Sequence, residues 1–228
     1  MRVLVSWSSG KDSAWTLHVL RRTPGVEVAG LLTTINEAYG RVAMHAVRVE
    51  LLEAQAAAAG LPLWKVPIPD ACSNARYEEA MAEVMKRALG EGIKAIAFGD
   101  LFLEDIRAYR VEKMRGTGIE PLFPIWGTPT GELARTMIAA GLQARLTCVD
   151  PKVLDRSFAG RAFDAALLAE LPPGIDPCGE RGEFHTFAWS GPMFAKPVPV
   201  RVGEVVERGG FVFADLLLLS PSVRPSIR

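Results

Sequence analysis

Short apolar runs and longer segments of helical periodicity alternate along the first half of this chain. The runs are rich in β-branched residues, and the periodic segments end at glycines or carry acids early and bases late, as helices do. Strands are predicted at 2–6, 26–35, 63–66 and 94–98, and helices at 12–22, 45–59, 74–89 and 104–115. Such alternation predicts parallel βαβ units in a doubly wound α/β sheet, whose ligands sit beyond the carboxyl ends of the strands.

The pattern changes at a proline-rich stretch spanning 121–129. We expect a first domain over 1–124 and a smaller α+β domain over 125–228, with a frayed C-terminal tail. Within the second domain, helices are predicted at 132–140 and 161–171, and strands at 143–149, 184–189, 198–207 and 211–219.

Composition restricts the classes of partner. The 228 residues carry 26 basic and 26 acidic side chains, so nothing favours a nucleic-acid or membrane surface. Three scattered cysteines argue for a reducing compartment and against a disulfide framework or a structural zinc site. Since no apolar run is long enough to span a bilayer and no signal peptide is evident, we expect a soluble cytoplasmic protein.

The segment between the first strand and the first helix reads Ser8-Ser9-Gly10-Lys11-Asp12-Ser13. A small-residue turn at a helix N-terminus offers unpaired amides to an anion, and the lysine adds a positive charge. It is not a Walker A loop, because Val5 stands where that motif needs its first glycine. The alternative is a simple helix cap. An acid beside a phosphate cradle indicates a cation, so Asp12 and Asp100 are candidate Mg²⁺ ligands.

Two later segments carry further charged residues, and the first of them lies at the same edge of the predicted sheet. Gly99-Asp100 ends a strand and leads into a charged helix; Cys178–Phe187 places two carboxylates, Glu180 and Glu183, in a glycine-rich turn. A solvated helix face and a surface turn are the structural alternatives. His45 could cap the second helix or contact a nucleotide, and the pattern does not decide between them.

Taken in order and spacing, these segments resemble the diphthine–ammonia ligase family of PP-loop ATP pyrophosphatases. The resemblance rests on Ser8–Ser13, the strand end 32–36, the Gly99–Glu112 segment and the Cys178–Glu183 motif, and it extends from about residue 2 to Pro197. The alanine- and arginine-rich composition is typical of a bacterial member. The family implies an adenine-nucleotide α-hydrolase-like (HUP, Rossmann-like) domain followed by a substrate domain.

The resemblance implies a reaction: ATP adenylates a carboxylate, pyrophosphate leaves, and ammonia displaces AMP to form an amide. In the family the acceptor is diphthine on an elongation factor; here it is a protein carboxylate or a small molecule, and a homodimer is expected. The catalytic residues would be Lys11, Asp12, Glu180 and Glu183. ATP would contact Ser8, Ser9, Gly10, Lys11, Asp12, Ser13, Thr33, Thr34, His45, Gly99 and Asp100. The acceptor would contact Asp105, Arg110, Glu112, Arg181, Gly182, His185 and Thr186.

One segment departs from the family pattern. The family loop commonly reads Glu-Gly-Gly-Glu-Tyr-Glu-Thr, whereas this chain has Arg181, Phe184 and His185 at three of those positions. The changes fall where the acceptor should be recognised. Alternative functions are a PP-loop enzyme acting on another carboxylate or carbonyl, a tRNA-modifying member, and a nucleotide-binding sensor without catalysis.

Overall fold

Strands and helices alternate through the first half of the molecule, as the hydrophobic pattern predicts. The structure is a computed structural model that describes residues 1–36, 41–42, 47–69 and 72–219. Its first half contains β1 (Arg2–Ser6), α1 (Lys11–Arg21), β2 (Glu27–Asn36), β3 (Arg41–Val42), α2 (Val49–Ala59), β4 (Leu63–Ile68), α3 (Asn74–Gly90), β5 (Ala95–Ala97), α4 (Glu104–Met114) and β6 (Glu120–Leu122). Its second half contains α5 (Thr130–Ala139), β7 (Gln143–Val149), a 3₁₀ turn (Arg156–Phe158), α6 (Ala165–Glu170), β8 (Phe184–Ser190), β9 (Val200–Arg208) and β10 (Phe211–Leu218).

Five parallel strands form the first sheet in the order β4-β2-β1-β5-β6. The short β3 joins the end of β2 antiparallel. The strand order steps outward from β1 in both directions, which is the doubly wound arrangement predicted from the alternation. The carboxyl ends of β1, β2 and β5 therefore lie together at one edge.

Successive residues of each central strand face opposite sides of this sheet. In β1, Val3 and Val5 belong to one apolar cluster and Leu4 belongs to another. In β5, Ile96 belongs to the same cluster as Leu4, whereas Ala95 and Ala97 belong to the cluster of Val3 and Val5. The first cluster packs the sheet against α1, α2 and the second half of the chain, while the second cluster packs it against α3 and α4. Both faces of the parallel sheet are thereby covered.

The second sheet is antiparallel, in the order β8-β7-β10-β9. It lies beside the phosphate-loop region, because the Ala188 amide of β8 donates to the Ser9 carbonyl at 2.9 Å. An α/β domain followed by an α+β portion is thus the observed fold class. The division at residue 124 falls just after β6 and stays a prediction. No helix within the described ranges is long and apolar enough to cross a membrane.

Several elements differ from the sequence-based expectation, among them β3 and the 3₁₀ turn, which the pattern did not predict. The predicted helix over 161–171 begins only at Ala165, because Asp164 caps the Leu167 amide at 2.8 Å and the residues before it bond to β7. α2 begins at Val49, since Val47 and Arg48 are not helical; its predicted start at residue 45 lies outside the described residues. β6 was not predicted; its Pro121 is tolerated because β6 is the edge strand beside β5.

Candidate active site

The turn between β1 and α1 holds an unusual backbone conformation. Ser9 has φ +69°, the only positive φ of a non-glycine residue in the described part of the chain. Its carbonyl accepts two hydrogen bonds, from the Gln55 side-chain amide at 2.9 Å and from the Ala188 amide at 2.9 Å. Since a non-glycine residue in this region is strained, the surrounding contacts hold the turn in place.

The N-cap residue of α1 is Gly10, which has no side chain to cap the first amides of the helix. The Gly10 amide donates to the Ser8 hydroxyl at 3.3 Å, and the Lys11 amide donates to the Thr186 hydroxyl at 3.1 Å. The Ser13 hydroxyl donates to the Gly10 carbonyl at 3.0 Å. Amides at the positive end of the helix dipole therefore face hydroxyl oxygens, one of which comes from β8.

Lys11 is almost completely buried, with 1% of its surface exposed. Its ammonium lies 2.8 Å from the Asp12 carboxylate, donates to the Cys178 carbonyl, and sits 5.5 Å and 5.7 Å from the ring centroids of Phe163 and Phe184. Burial, the largest single effect, would lower the pKa of Lys11, but Asp12, Cys178 and Glu180 together outweigh it and the pKa lies above its ordinary value. The lysine is a fixed cation joining both halves of the chain.

A cavity of about 220 Å³ lies in front of this lysine. It is lined by Ser6, Ser8, Lys11, Asp12, Ser13, Phe98, Gly99, Asp100, Arg110, Cys178, Gly179, Glu180, Phe184, His185 and Thr186. The three sequence segments that carry charged motifs thus meet in one place. Gly99 is needed for the close approach, because a Cβ there would stand 2.9 Å from the Asp12 carbonyl carbon.

Glu180 projects into this cavity from the glycine-rich turn. Burial raises its pKa to about 7, although the Leu101 amide donates to Oε1 at 2.7 Å and favours the charged form. A carboxyl group that titrates near neutrality suits a proton acceptor. Burial likewise raises the pKa of the neighbouring Cys178 to about 12, so its thiol stays protonated and is a poor nucleophile.

Glu183 differs from Glu180 in its surroundings. Its two carboxylate oxygens accept from the amides of Asp176 at 3.1 Å and Arg181 at 3.0 Å, and it is not among the described residues lining the cavity. Asp176 supports the same turn: its Oδ1 accepts from the Cys178 and Glu180 amides at 2.8 Å and 3.3 Å. Asp176 was missed from the sequence, although an acid two residues before the motif is a common turn former.

The two candidate Mg²⁺ ligands are each paired with a cation. Asp12 contacts Lys11, and Asp100 forms a bidentate ion pair with Arg110, whose guanidinium also stacks over Phe98 at 4.4 Å. Among the residues that the structure describes, no group of three or more His, Cys, Asp or Glu side chains could hold a metal ion. Two carboxylates, from Asp12 and Asp100, are enough for a Mg²⁺ ion whose other ligands are phosphate oxygens and water. They are too few to hold a metal ion without those ligands.

A larger cavity of about 980 Å³ adjoins the first and shares Ser6, Ser8, Phe98 and Arg110 with it. Thr33 and Thr34, at the carboxyl end of β2, line this space. The Thr33 hydroxyl is buried and has no hydrogen-bond partner among the described residues, which is costly for a polar group.

The remaining predicted site residues fall in several places. Glu112 lines the larger cavity, and Asp105 is exposed in the first turn of α4. Arg181 is exposed and stacks over Phe102 at 5.4 Å, and Gly182 has φ +90°. His45 lies outside the described residues.

Comparisons with known proteins show which family the chain belongs to. A family model described as the diphthamide synthase N-terminal domain matches residues 1–120, and one described as the diphthamide synthase C-terminal domain matches residues 129–213. The chain belongs to the diphthamide synthase family. It is 28% identical to diphthine–ammonia ligases of Homo sapiens and Bos taurus, covering 96% of this chain and 90% of each relative, and 27% identical to the Danio rerio protein.

Within this member of the diphthamide synthase family, the departures from the common loop have structural consequences. Phe184 packs its ring against the Lys11 ammonium. Burial, together with the charge of Lys11, lowers the pKa of His185 to about 4, so this side chain is neutral at physiological pH. A glutamate at the same place would add a negative charge to the cavity.

Sequence reasoning missed Gln55, a residue that supports the turn at Ser9. It is fully buried on α2, where it accepts from Trp7 Nε1 at 3.0 Å and donates to the carbonyls of Ser9 and Ala188. A single amide on the otherwise apolar face of an alanine-rich helix was the available signal.

Proposed function

We propose that this protein is an ATP-dependent C–N ligase that adenylates a carboxylate, releases pyrophosphate and transfers ammonia to form an amide. One observation carries the proposal: Lys11 and the amides of α1 share a small cavity with Glu180. Lys11 and the amides are suited to binding phosphates, and Glu180 is suited to accepting a proton. The names of the relatives support the same reaction class.

The phosphates would occupy the smaller cavity. Its volume is below the roughly 300–1,000 Å³ of sites for drug-sized ligands, so it suits a phosphate group rather than a whole nucleotide. Phosphate oxygens would replace the hydroxyls of Ser8 and Thr186 as acceptors for the Gly10 and Lys11 amides. Ser9 and Ser13 shape the cradle, and Lys11 neutralises the charge that develops on departing pyrophosphate.

Asp12 and Asp100 would hold Mg²⁺ that arrives bound to the nucleotide, with Gly99 allowing Asp100 to approach. The ion would offset phosphate charge. Asp12 is paired with Lys11 and Asp100 with Arg110, so each carboxylate would share its charge between that partner and the metal.

The adenosine would enter the larger cavity beside Thr33 and Thr34. Among the described residues the Thr33 hydroxyl has no hydrogen-bond partner. A ribose or purine polar atom would satisfy that hydroxyl, and the shared lining residues keep the larger cavity continuous with the phosphate cradle.

Glu180 would serve the second half-reaction. The nitrogen of ammonia forms a bond to the carbonyl carbon of the acyl-adenylate, the carbon–oxygen bond to AMP breaks, and a proton must leave the nitrogen. A carboxylate with a pKa near neutrality is matched to that transfer. Glu183, with its two hydrogen bonds from loop amides, would hold the turn that presents Glu180.

The acceptor would be recognised by the residues around the turn and α4. These are Asp105, Arg110, Glu112, Arg181, Gly182, His185 and Thr186. The relatives' name makes diphthine one candidate acceptor, and a free small-molecule carboxylate is the other. The homodimer and the cytoplasmic location expected from the sequence stay predictions.

The test uses the purified protein and ATP labelled in the α-phosphate, with Mg²⁺, ammonium and a panel of carboxylates that includes a diphthine-bearing elongation factor. Production of AMP and pyrophosphate supports the proposal. Formation of ADP, or of no product with any carboxylate, contradicts it.

Lys11→Ala is the decisive variant, and it should abolish pyrophosphate release. Lys65→Ala is its matched control, because Lys65 is an exposed lysine paired with Glu53 at 2.6 Å. Ser13→Ala removes only a hydroxyl from the cradle and keeps the test open if Lys11→Ala does not fold. Undiminished release by a folded Lys11→Ala protein would overturn the assignment.

A further inference from the structure

The two cavities of the site meet at a small group of side chains. The smaller cavity would hold the β- and γ-phosphates and the larger one the adenosine, and the residues that line both are Ser6, Ser8, Phe98 and Arg110. Arg110 is the charged member of this shared set. In ATP the α-phosphate connects the adenosine to the outer phosphates. A nucleotide that spans both cavities therefore places its α-phosphate where they meet.

Lys11 and Arg110 differ in where they can act. Lys11 lines the smaller cavity but is not among the described residues that line the larger one, and it is almost completely buried. The Arg110 side chain is 32% exposed and lines both spaces. Arg110 is therefore the cation placed to reach a phosphate group between the two cavities, and Lys11 is the cation of the cradle.

Arg110 is held in a fixed orientation. Its Nε and Nη2 donate to the two carboxylate oxygens of Asp100, the second bond being 3.0 Å long, and its guanidinium lies 4.4 Å from the Phe98 ring centroid. Phe98 in turn stacks on Phe123, with 5.8 Å between the ring centroids. A guanidinium carries five N–H groups, so it can serve a second anion beside this carboxylate. A donor positioned in advance needs little reorganisation when that anion arrives.

We propose that Arg110 binds the α-phosphate of ATP and stabilises its charge in both half-reactions, which makes Arg110 a catalytic residue. The inference rests on the proposed function. It uses the position of Arg110 between the cavities, its fixed orientation and the preference of a guanidinium for the paired oxygens of a phosphate.

The charge that Arg110 would stabilise follows from the bonds that change. In the first half-reaction an oxygen of the acceptor carboxylate bonds to the α-phosphorus, the bond from that phosphorus to the bridging oxygen breaks, and its electron pair leaves with pyrophosphate. The non-bridging oxygens of the α-phosphate carry negative charge at this stage, and a guanidinium can donate to them. In the second half-reaction AMP leaves with the electron pair of the carbon–oxygen bond, and the same cation stabilises it. The acceptor meets Arg110 at this point, because its carboxylate attacks the same phosphorus.

Calorimetry with adenosine, AMP and pyrophosphate tests the contact. Adenosine has no phosphate, pyrophosphate has no nucleoside, and AMP carries the α-phosphate alone. Arg110→Ala should weaken AMP binding at least about tenfold and leave the other two affinities within about twofold. Arg107→Ala is the matched control and should change none of them, because Arg107 lies on the same helix, stacks over Trp126 at 4.7 Å and is not among the described residues lining either cavity. Unchanged AMP affinity, or a loss that adenosine or pyrophosphate shares equally, would overturn the proposal.

A second pair of variants separates a lost contact from an unpaired charge. Arg110→Ala leaves the Asp100 carboxylate, 13% exposed, without its ion-pair partner, and a free carboxylate there would repel phosphate. The double variant Asp100→Asn, Arg110→Ala removes both charges and should still lose AMP affinity selectively. Arg110→Lys keeps the charge without the fork and should recover part of that affinity; it also keeps the test open if the alanine variants do not fold. Normal AMP affinity in the double variant would refute the contact.

Steady-state kinetics separate this role from recognition of the acceptor. With a carboxylate that supports AMP formation, Arg110→Ala should lower kcat at saturating ATP and carboxylate by about a hundredfold or more. Arg107→Ala should leave kcat unchanged. An unchanged kcat with a raised KM for the carboxylate would assign Arg110 to the acceptor alone and refute the inference.

Failure of this inference can be told apart from failure of the proposed function. If the unaltered protein binds neither AMP nor pyrophosphate and forms no AMP from ATP, the ligase assignment fails. If it binds both ligands and forms AMP, but Arg110→Ala behaves like Arg107→Ala, only the assignment of Arg110 fails.

Discussion

Gln55 is expected to be the most sensitive buried polar side chain outside the charged site. Its amide joins three parts of the fold: Trp7 at the end of β1, the strained turn at Ser9, and Ala188 of β8. The bonds are 3.0, 2.9 and 2.6 Å long, and the side chain is completely buried. Replacing it with leucine keeps most of its volume but removes all three hydrogen bonds.

The expected cost follows from those bonds. A buried hydrogen bond contributes about 0.5–1.5 kcal/mol net, and a buried group left unpaired costs about 1–3 kcal/mol. The Trp7 indole loses its acceptor, while the Ser9 carbonyl keeps its bond from the Ala188 amide. Gln55→Leu should therefore lower the free energy of unfolding by about 2–5 kcal/mol. Since domains are stable by about 5–15 kcal/mol, most of the protein should remain folded.

Urea unfolding measures this cost directly. The midpoint should fall with little change in the slope, and ATP affinity should fall too, because the Ser9 turn loses one of its two supports. Gln143→Leu is the matched control, since Gln143 is exposed at the start of β7 and its replacement should stay within about 0.5 kcal/mol. If Gln55→Leu is as stable as that control and binds ATP normally, the positioning role assigned to Gln55 is refuted.

Two further predictions concern the turn over Lys11. The Glu180 carboxyl has a pKa of about 7 in the folded protein, against an ordinary value of 4.5, so the folded protein binds this proton more tightly than the unfolded chain does. The stability of the fold should therefore fall as the pH rises from about 4.5 to about 7. Glu180→Gln should therefore stabilise the protein more at about pH 8 than at about pH 4, measured by urea midpoints; an equal or reversed effect would contradict the assignment. Gly179→Ala should lower the melting temperature far more than Gly174→Ala, because both have positive φ but only the Gly179 Cβ would meet a neighbour, the Phe184 carbonyl oxygen at 2.7 Å. Equal losses would show that the close approach is not needed.

The parallel sheet was predictable because its information is local. Each strand is a short apolar run, and the helices between them carry their own periodicity and end signals. The helix predicted over 161–171 forms only from Ala165 onward, and the reason is non-local. The Phe163 amide donates to the Ala144 carbonyl at 2.9 Å and the Leu146 amide donates to the Arg161 carbonyl at 3.0 Å, so pairing with a distant strand overrides the local pattern.

The phosphate loop could be located from its motif, but the partners of that loop could not. The hydrogen bond from the Lys11 amide to Thr186 joins residues 175 positions apart, and no spacing rule predicts it. Sequence reasoning also treated Glu180 and Glu183 alike. The structure distinguishes the two carboxylates. Glu183 accepts hydrogen bonds from two backbone amides of the turn, whereas Glu180 lines the cavity.

These contacts argue that the two sheets act as one unit. Without the second half, the buried Lys11 ammonium would lose the Cys178 carbonyl and both aromatic rings, and the Lys11 amide would lose the Thr186 hydroxyl. The apolar cluster on that face of the parallel sheet would also be opened, since it continues into α5, β7, β8 and β10. The phosphate cradle therefore depends on the segment that carries Glu180. If the proposed function holds, a change in that segment should alter how the nucleotide is held, because the contacts that fix Lys11 come from it.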